Sequence, residues 1–174
     1  IAVLGLATLG LPSQTPAAAE RPVARIGAAE LAQKIVADPQ RLWLLDLRDP
    51  AAPNADRIPG TAPLPEGSTA AAYAATLPPT RTLVVYAEGD LTALPGQVEA
   101  WPGDVLVLSG GWNAWKTSVL APPAPPAEPT PALIAEFRMR SALHGWFTGA
   151  SAPPPPKLVP RAVAAPAPKK GGGC

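Results

Sequence analysis

The chain has 174 residues with 14 basic and 13 acidic side chains, a net charge of +1, so bulk charge argues against a nucleic-acid partner. Proline and glycine number 26 and 15. That is close to the level at which composition marks low complexity, so one folded domain is the most that fits. A single Cys and a single His leave no intrachain disulfide, closed zinc site or haem-attachment motif to build, and no cofactor is expected.

The first eleven residues, Ile1 to Leu11, form an uncharged apolar run that stops at Pro12. Eleven residues are too few to cross a bilayer, which takes about 20. The run reads as the outer end of a membrane anchor, with a signal-peptide remnant as the alternative, and residues 1–20 as anchor or signal segment plus linker. An extracytoplasmic, periplasmic placement is favoured for the rest of the chain, although Arg21 and Arg25 argue the other way under the positive-inside rule.

Residues 21–120 carry the pattern of a globular α/β unit, with apolar runs alternating with helical periodicity across short connections. Val23 to Ile26 predicts a short strand. Ala28 to Ala37 predicts a helix, with Leu31 and Ile35 four apart and Pro39 closing it. Leu42 to Leu47 is a near-continuous apolar run, as expected of a parallel strand covered on both faces. Thr69 to Leu77 is an Ala-rich helix candidate, while Thr82 to Tyr86 and Asp104 to Leu108 are further buried strands. Functional loops of such a sheet gather at the carboxyl ends of its strands.

Residues 121–174 form a third region. Six prolines between Ala121 and Pro131 precede an amphipathic stretch from Ala132 to Trp146, then Pro153 to Pro156 and a basic, glycine-ended terminus. Residues 1–120 carry 8 basic and 11 acidic side chains against 6 and 2 after them, so the tail is the cationic part. It reads as extended, partly helical and partner-binding, because such composition favours polyproline conformations over a core of its own. Leu133, Phe137, Trp146 and Phe147 are the expected apolar anchors, with Arg138 and Arg140 on the rim. The alternative is that this helix folds back on the domain.

Four pieces fall in order along the chain. They are Leu44-Leu45-Asp46-Leu47-Arg48-Asp49, then Arg57-Ile58-Pro59-Gly60-Thr61, then Val84-Val85-Tyr86, then Leu108-Ser109-Gly110-Gly111-Trp112-Asn113-Ala114-Trp115. Together they resemble the rhodanese-like domain family over about residues 23 to 118. The resemblance implies a parallel sheet flanked by helices and, in active members, a thiolate that accepts sulfane sulfur as a persulfide. It places that thiolate directly after Tyr86. This chain has Ala87 there, followed by Glu88 and Asp90 with no Arg or Lys in the loop, so a catalytic residue is lacking and the loop's field is expected to repel anions. Pro95-Gly96 interrupts the helix that comes next, and Arg57 stands where the family often has His.

The resulting expectation is a catalytically inactive rhodanese-like structural or accessory subunit of a larger membrane protein assembly. Its partners are other protein subunits and, through the N-terminal segment, the lipid bilayer, with no nucleic acid. A respiratory or photosynthetic electron-transfer complex is one natural host. Two alternatives stand beside it: a sulfurtransferase or sulfur-relay protein working through Cys174, otherwise an exposed intermolecular thiol, and a small-molecule-binding sensory domain using the altered loop.

Overall fold

Residues 42–45 and 83–86 are apolar without polar alternation, so each needs cover on both faces. The computed structural model, which describes residues 23–49, 56–62 and 67–156, provides it with helices on either side of a parallel sheet. Strands β1 (Ala24–Ile26), β2 (Leu42–Asp46), β3 (Thr82–Tyr86) and β4 (Val105–Leu108) run in the spatial order β1-β4-β3-β2. Alternation along β3 divides the core. Leu83 and Val85 pack with Leu45, Ala74, Val98, Trp101 and Val107, whereas Val84 and Tyr86 pack with Leu31, Ile35, Trp112 and Trp115 on the other face.

Helix α1 (Ala28–Ala37) buries Leu31, Ala32 and Ile35. A 3₁₀ turn, Pro39–Arg41, comes next, with the Asp38 carboxylate accepting the Gln40 N–H at 3.1 Å. The helix expected over 69–77 is shorter, α2 (Ala70–Ala74), capped by the Thr69 hydroxyl and unwound into turns ahead of Pro78-Pro79. One element is not foreshadowed by the sequence pattern: α3 (Gly96–Glu99), a single turn starting after Pro95. Pro95 displaces the helix rather than abolishing it, because proline is tolerated at a helix start and disruptive inside one.

Helix α4 (Gly111–Trp115) continues into a π-helical turn, Lys116–Leu120, and extended residues then lead to α5 (Pro131–Thr148). Thr130 caps α5, its hydroxyl accepting the Leu133 N–H at 3.3 Å, Pro131 opens it, and Gly149 closes it at φ 74°. This helix folds back on the domain. Ile134, Phe137, Ser141, Leu143 and His144 are buried, and the Trp115 and Phe147 rings meet edge to face at 4.9 Å. Among the described residues no helix is long and apolar enough to cross a membrane. The apolar run of residues 1–11 lies outside them.

Candidate functional site

The carboxyl ends of β2 and β3 carry the chemistry. Asp46 closes β2, and Arg48 turns back on it with Nε 3.0 and 3.1 Å and Nη2 2.8 Å from the carboxylate oxygens. The Arg48 backbone N–H also donates to Asp46 Oδ1 at 3.0 Å. Both side chains are almost fully buried, at 6% and 4% exposure. The guanidinium lies 4.8 Å from the Trp112 ring centre and 5.8 Å from that of Tyr86, and it donates through Nη2 to the Asp56 carbonyl. These Asp46 hydrogen bonds raise the Arg48 pKa against the opposing pull of burial.

The Arg57-Ile58-Pro59-Gly60-Thr61 turn docks beneath the same point. Gly60 takes φ 87°, and the Thr61 hydroxyl donates to the Ile58 carbonyl at 2.6 Å. Thr61 also shares a 3.0 Å hydrogen bond with the Tyr86 hydroxyl, which accepts the Ile58 N–H at 3.4 Å. Burial pushes the Tyr86 phenol up to about 12, against the pull of the Thr61 bond. Arg57 Nε sits 3.7 Å from Asp46 Oδ2, buried and without a hydrogen-bond partner among the described residues.

The loop after Tyr86 is packed shut against α4. The Ala87 carbonyl accepts the Trp112 N–H at 2.8 Å, and the Glu88 carbonyl accepts the Asn113 N–H at 3.0 Å. Gly110 and Gly111 both take positive φ, 68° and 54°, and a side chain on Gly111 would collide with the carbonyl oxygens of Ala87 and Gly89. Only glycine permits this approach. The loop thus turns carbonyls, not amides, toward the start of α4 at these positions.

Its two carboxylates do not stand alone, which corrects the expectation of an uncompensated negative field. Asp90 Oδ1 accepts the Gly110 N–H at 2.7 Å and Arg25 Nη1 at 2.9 Å, while Arg25 Nη2 donates to the Leu91 carbonyl at 2.7 Å. The Gly110 N–H, and then the Arg25 charge, hold the Asp90 carboxyl below the ordinary carboxylate range. Glu88 lies 3.4 Å from Lys116 Nζ and 3.8 Å from Arg48 Nη1. Arg25 and Lys116 are 65 and 28 residues from their partners, and no local pattern announces them.

The tail residues separate. Phe137 is buried and Phe147 packs against the core, whereas Leu133 and Trp146 are 42% and 56% exposed and Arg138 is exposed. Arg140 is half-buried beside a cleft of about 130 Å³ between α5 and the proline-rich segment, which Leu133 and Phe137 also line. His144 is buried, with Nδ1 3.3 Å from the Val119 carbonyl. Cys174 lies outside the described residues. Among those residues no cluster of three or more His, Cys, Asp or Glu is disposed to hold a metal ion.

An all-parallel sheet covered on both faces, with an Asp-x-Arg strand end, a tight Ile-Pro-Gly turn and a double-glycine entry into a Trp-bearing helix, defines an α/β domain of the rhodanese-like fold. The rhodanese-like domain model matches residues 27–118, and the chain belongs to that family. Two solved structures are similar to it. One is the BH2092 protein from Bacillus halodurans, at 18% identity over 54% of this chain and 72% of that one, with a TM-score of 0.41. The other is a protein of unknown function from Rhodopseudomonas palustris described as a possible tyrosine phosphatase, at 18% identity over 55% and 80%, with a TM-score of 0.40. No curated protein matches the chain.

Proposed function

We propose that the chain is a catalytically silent rhodanese-like domain that serves as a structural or accessory subunit, binding neighbouring proteins in a membrane-associated assembly. The observation that carries this reading is the loop after β3. Ala87 follows the strand directly and carries only a methyl group, and the Ala87 and Glu88 carbonyls are committed to α4 N–H groups. A sulfur acceptor needs a thiolate and converging donors to hold its charge. Ala87 supplies no thiolate, and these carbonyls are acceptors.

The membrane setting rests on the apolar run of residues 1–11, with the domain on the extracytoplasmic side. Protein partners are supported by the exposed Leu133 and Trp146 of α5. The test is sulfur transfer from thiosulfate to cyanide by the full chain, beside Cys174→Ser and Ala87→Cys variants. All three are expected to match the blank, because a thiol at position 87 alone does not reverse the loop's carbonyls. Steady-state turnover with a persulfide on the unmodified chain overturns the reading, and its loss in Cys174→Ser would assign the activity to the terminal thiol. For the accessory role, detergent extraction and sizing should show a species larger than the monomer; a monodisperse monomer refutes it.

A further inference from the structure

Residues 121–126 read Ala-Pro-Pro-Ala-Pro-Pro. Each proline ring fixes its own φ and bars the residue before it from helical angles, so Ala121, Pro122, Ala124 and Pro125 are all confined to extended backbone. Ala121 takes φ −75° and ψ 141°, the values of polyproline II. Burial then follows that helix's period of three. Pro123 is buried and Pro126 half-buried, whereas Pro122, Ala124 and Pro125 between them are exposed. The 123/126 row faces α5 across the cleft that Leu133 and Phe137 also line.

With one row held inward, the other two look out. Pro122 and Pro125 form one, Ala124 and the half-buried Ala121 the other, so the surface presents two Ala-Pro pairs one turn, about 9 Å, apart. Both ends of the segment are held. The Ala121 N–H donates to the Lys116 carbonyl at 2.8 Å, and Thr130 caps α5. Among the described residues nothing hydrogen-bonds the backbone of 122–129, which leaves its carbonyls for an outside donor. Glu128, exposed and not ion-paired among the described residues, follows three positions after Pro125.

From this arrangement we infer that residues 121–126 are a preordered docking ridge for a partner protein whose groove is walled by tryptophan and tyrosine rings and carries a basic side chain at its rim. The rings take the two Ala-Pro pairs, their indole and phenol groups donate to the unpaired carbonyls, and the rim cation meets Glu128. A free proline-rich peptide must give up conformational freedom to enter such a groove. Here α5 and the two anchored ends have already removed much of it. The inference rests on the accessory reading and names its partner class, yet the two fail separately: sulfur transfer and sizing of the extracted assembly test that reading, and groove binding tests this one.

The experiment measures binding of the full chain, in detergent, to a panel of SH3 and WW domains with acidic and with basic groove rims, by biolayer interferometry. Domains with basic rims should bind the chain, and a synthetic peptide of residues 119–130 should bind the same domains about tenfold more weakly, the measure of preordering. Pro122→Ala with Pro125→Ala should weaken the chain's complex at least tenfold while circular dichroism shows it still folded. Glu128→Lys should weaken it by several-fold. The proposal is overturned if no domain binds the chain, if the peptide binds as tightly as the chain, if the double proline variant binds normally, or if Glu128→Lys strengthens the complex. Self-association of the chain alone that is lost in the double proline variant would assign the ridge to a second copy and overturn it as well.

Discussion

The Asp46–Arg48 pair offers the sharpest test of how the carboxyl end of the sheet is held. Replacing Arg48 with Met keeps the length of the stem and removes the charge. Asp46 then stays 96–97% buried with its own-turn backbone N–H at 3.0 Å and Arg57 Nε at 3.7 Å, the latter too distant for a hydrogen bond. Stranding a buried charge in this way costs about 3 to 5 kcal/mol. The lost stacking on Trp112 adds to it. For a domain of about 100 residues, 3 kcal/mol lowers Tm by roughly 12 to 24 °C.

Removing both charges, Asp46→Leu with Arg48→Met, should cost only about 1 to 2 kcal/mol, from the uncapped Asp56 carbonyl and the freed Arg48 N–H. Asp46→Leu alone strands Arg48 at a like cost, so the two single variants together exceed the double by at least about 4 kcal/mol, a coupling well above the near-zero value of exposed pairs. Urea denaturation of wild type, both single variants and the double variant measures it, urea being preferred because guanidinium screens charge. If the double variant is as unstable as the summed single variants, the pair is not a unit and the account of this end of the sheet is wrong.

Three further outcomes rest on the same geometry. With its folded pKa raised to about 12 against an unfolded value of about 10, the Tyr86 proton is held more tightly when folded, so stability falls as pH rises from 10 to 12, by roughly 2 to 3 kcal/mol; Tyr86→Phe should flatten that limb of a urea-midpoint profile, and an unchanged slope refutes the assignment. Asp90 is shifted the other way, so the stability it lends is complete above the ordinary carboxylate pKa and is lost as pH falls through its depressed folded value; Asp90→Asn should decline less steeply than wild type on the acid side, as read from denaturation midpoints, and equal slopes refute the assignment. Gly111→Ala places a side chain at φ 54° against the Ala87 and Gly89 carbonyls and should cost about 3 kcal/mol or more, whereas Gly89→Ala, with open space around it, should cost under about 1 kcal/mol; equal losses by thermal melting would show that the loop is not seated on Gly111.

The strands and α1 were legible because their cause is local. Residues 42–45 and 83–86 are apolar enough to name themselves as covered strands, and the 31/35 spacing of α1 marks its inner face. The ends moved by a residue or two: Val23 and Asp104 stand just outside β1 and β4. The partners of the loop carboxylates were not legible. Glu88 and Asp90 read as bare negative charge until the fold brought Lys116 and Arg25 to them. Parallel crossovers do this routinely, since each strand end meets loops that are distant in sequence. Trp101 was also silent, because a lone Trp before Pro102-Gly103 has no period to place it on a face. In contrast Trp112 and Trp115, three apart after two glycines, have the spacing of one helix face and are buried.

The six tail residues expected to form one docking surface cannot act as one. A helix advances about 100° per residue, so Arg140 returns to within about 20° of Leu133, and Phe137 to within about 40°. Trp146 lies roughly 140° around from Leu133 and about 20 Å along the axis. The domain has taken both flanks of Leu133, burying Ile134, Phe137, Ser141 and His144 on one side and Leu143, between it and Trp146, on the other. Two separate patches are left: Leu133 with Arg140 at the proline-lined cleft, and Trp146, stacked edge to face on Phe147 at 4.5 Å, with Arg138 about 80° away. A single flat partner reaches one of them. Leu133→Asp and Trp146→Ser should therefore have unequal effects on co-purification of any partner, one abolishing it and the other leaving it within about twofold. Equal loss from both would mean that the partner wraps α5, which requires the helix to leave the domain and expose the buried residues. Hydrogen exchange along 131–148 would then rise in the complex.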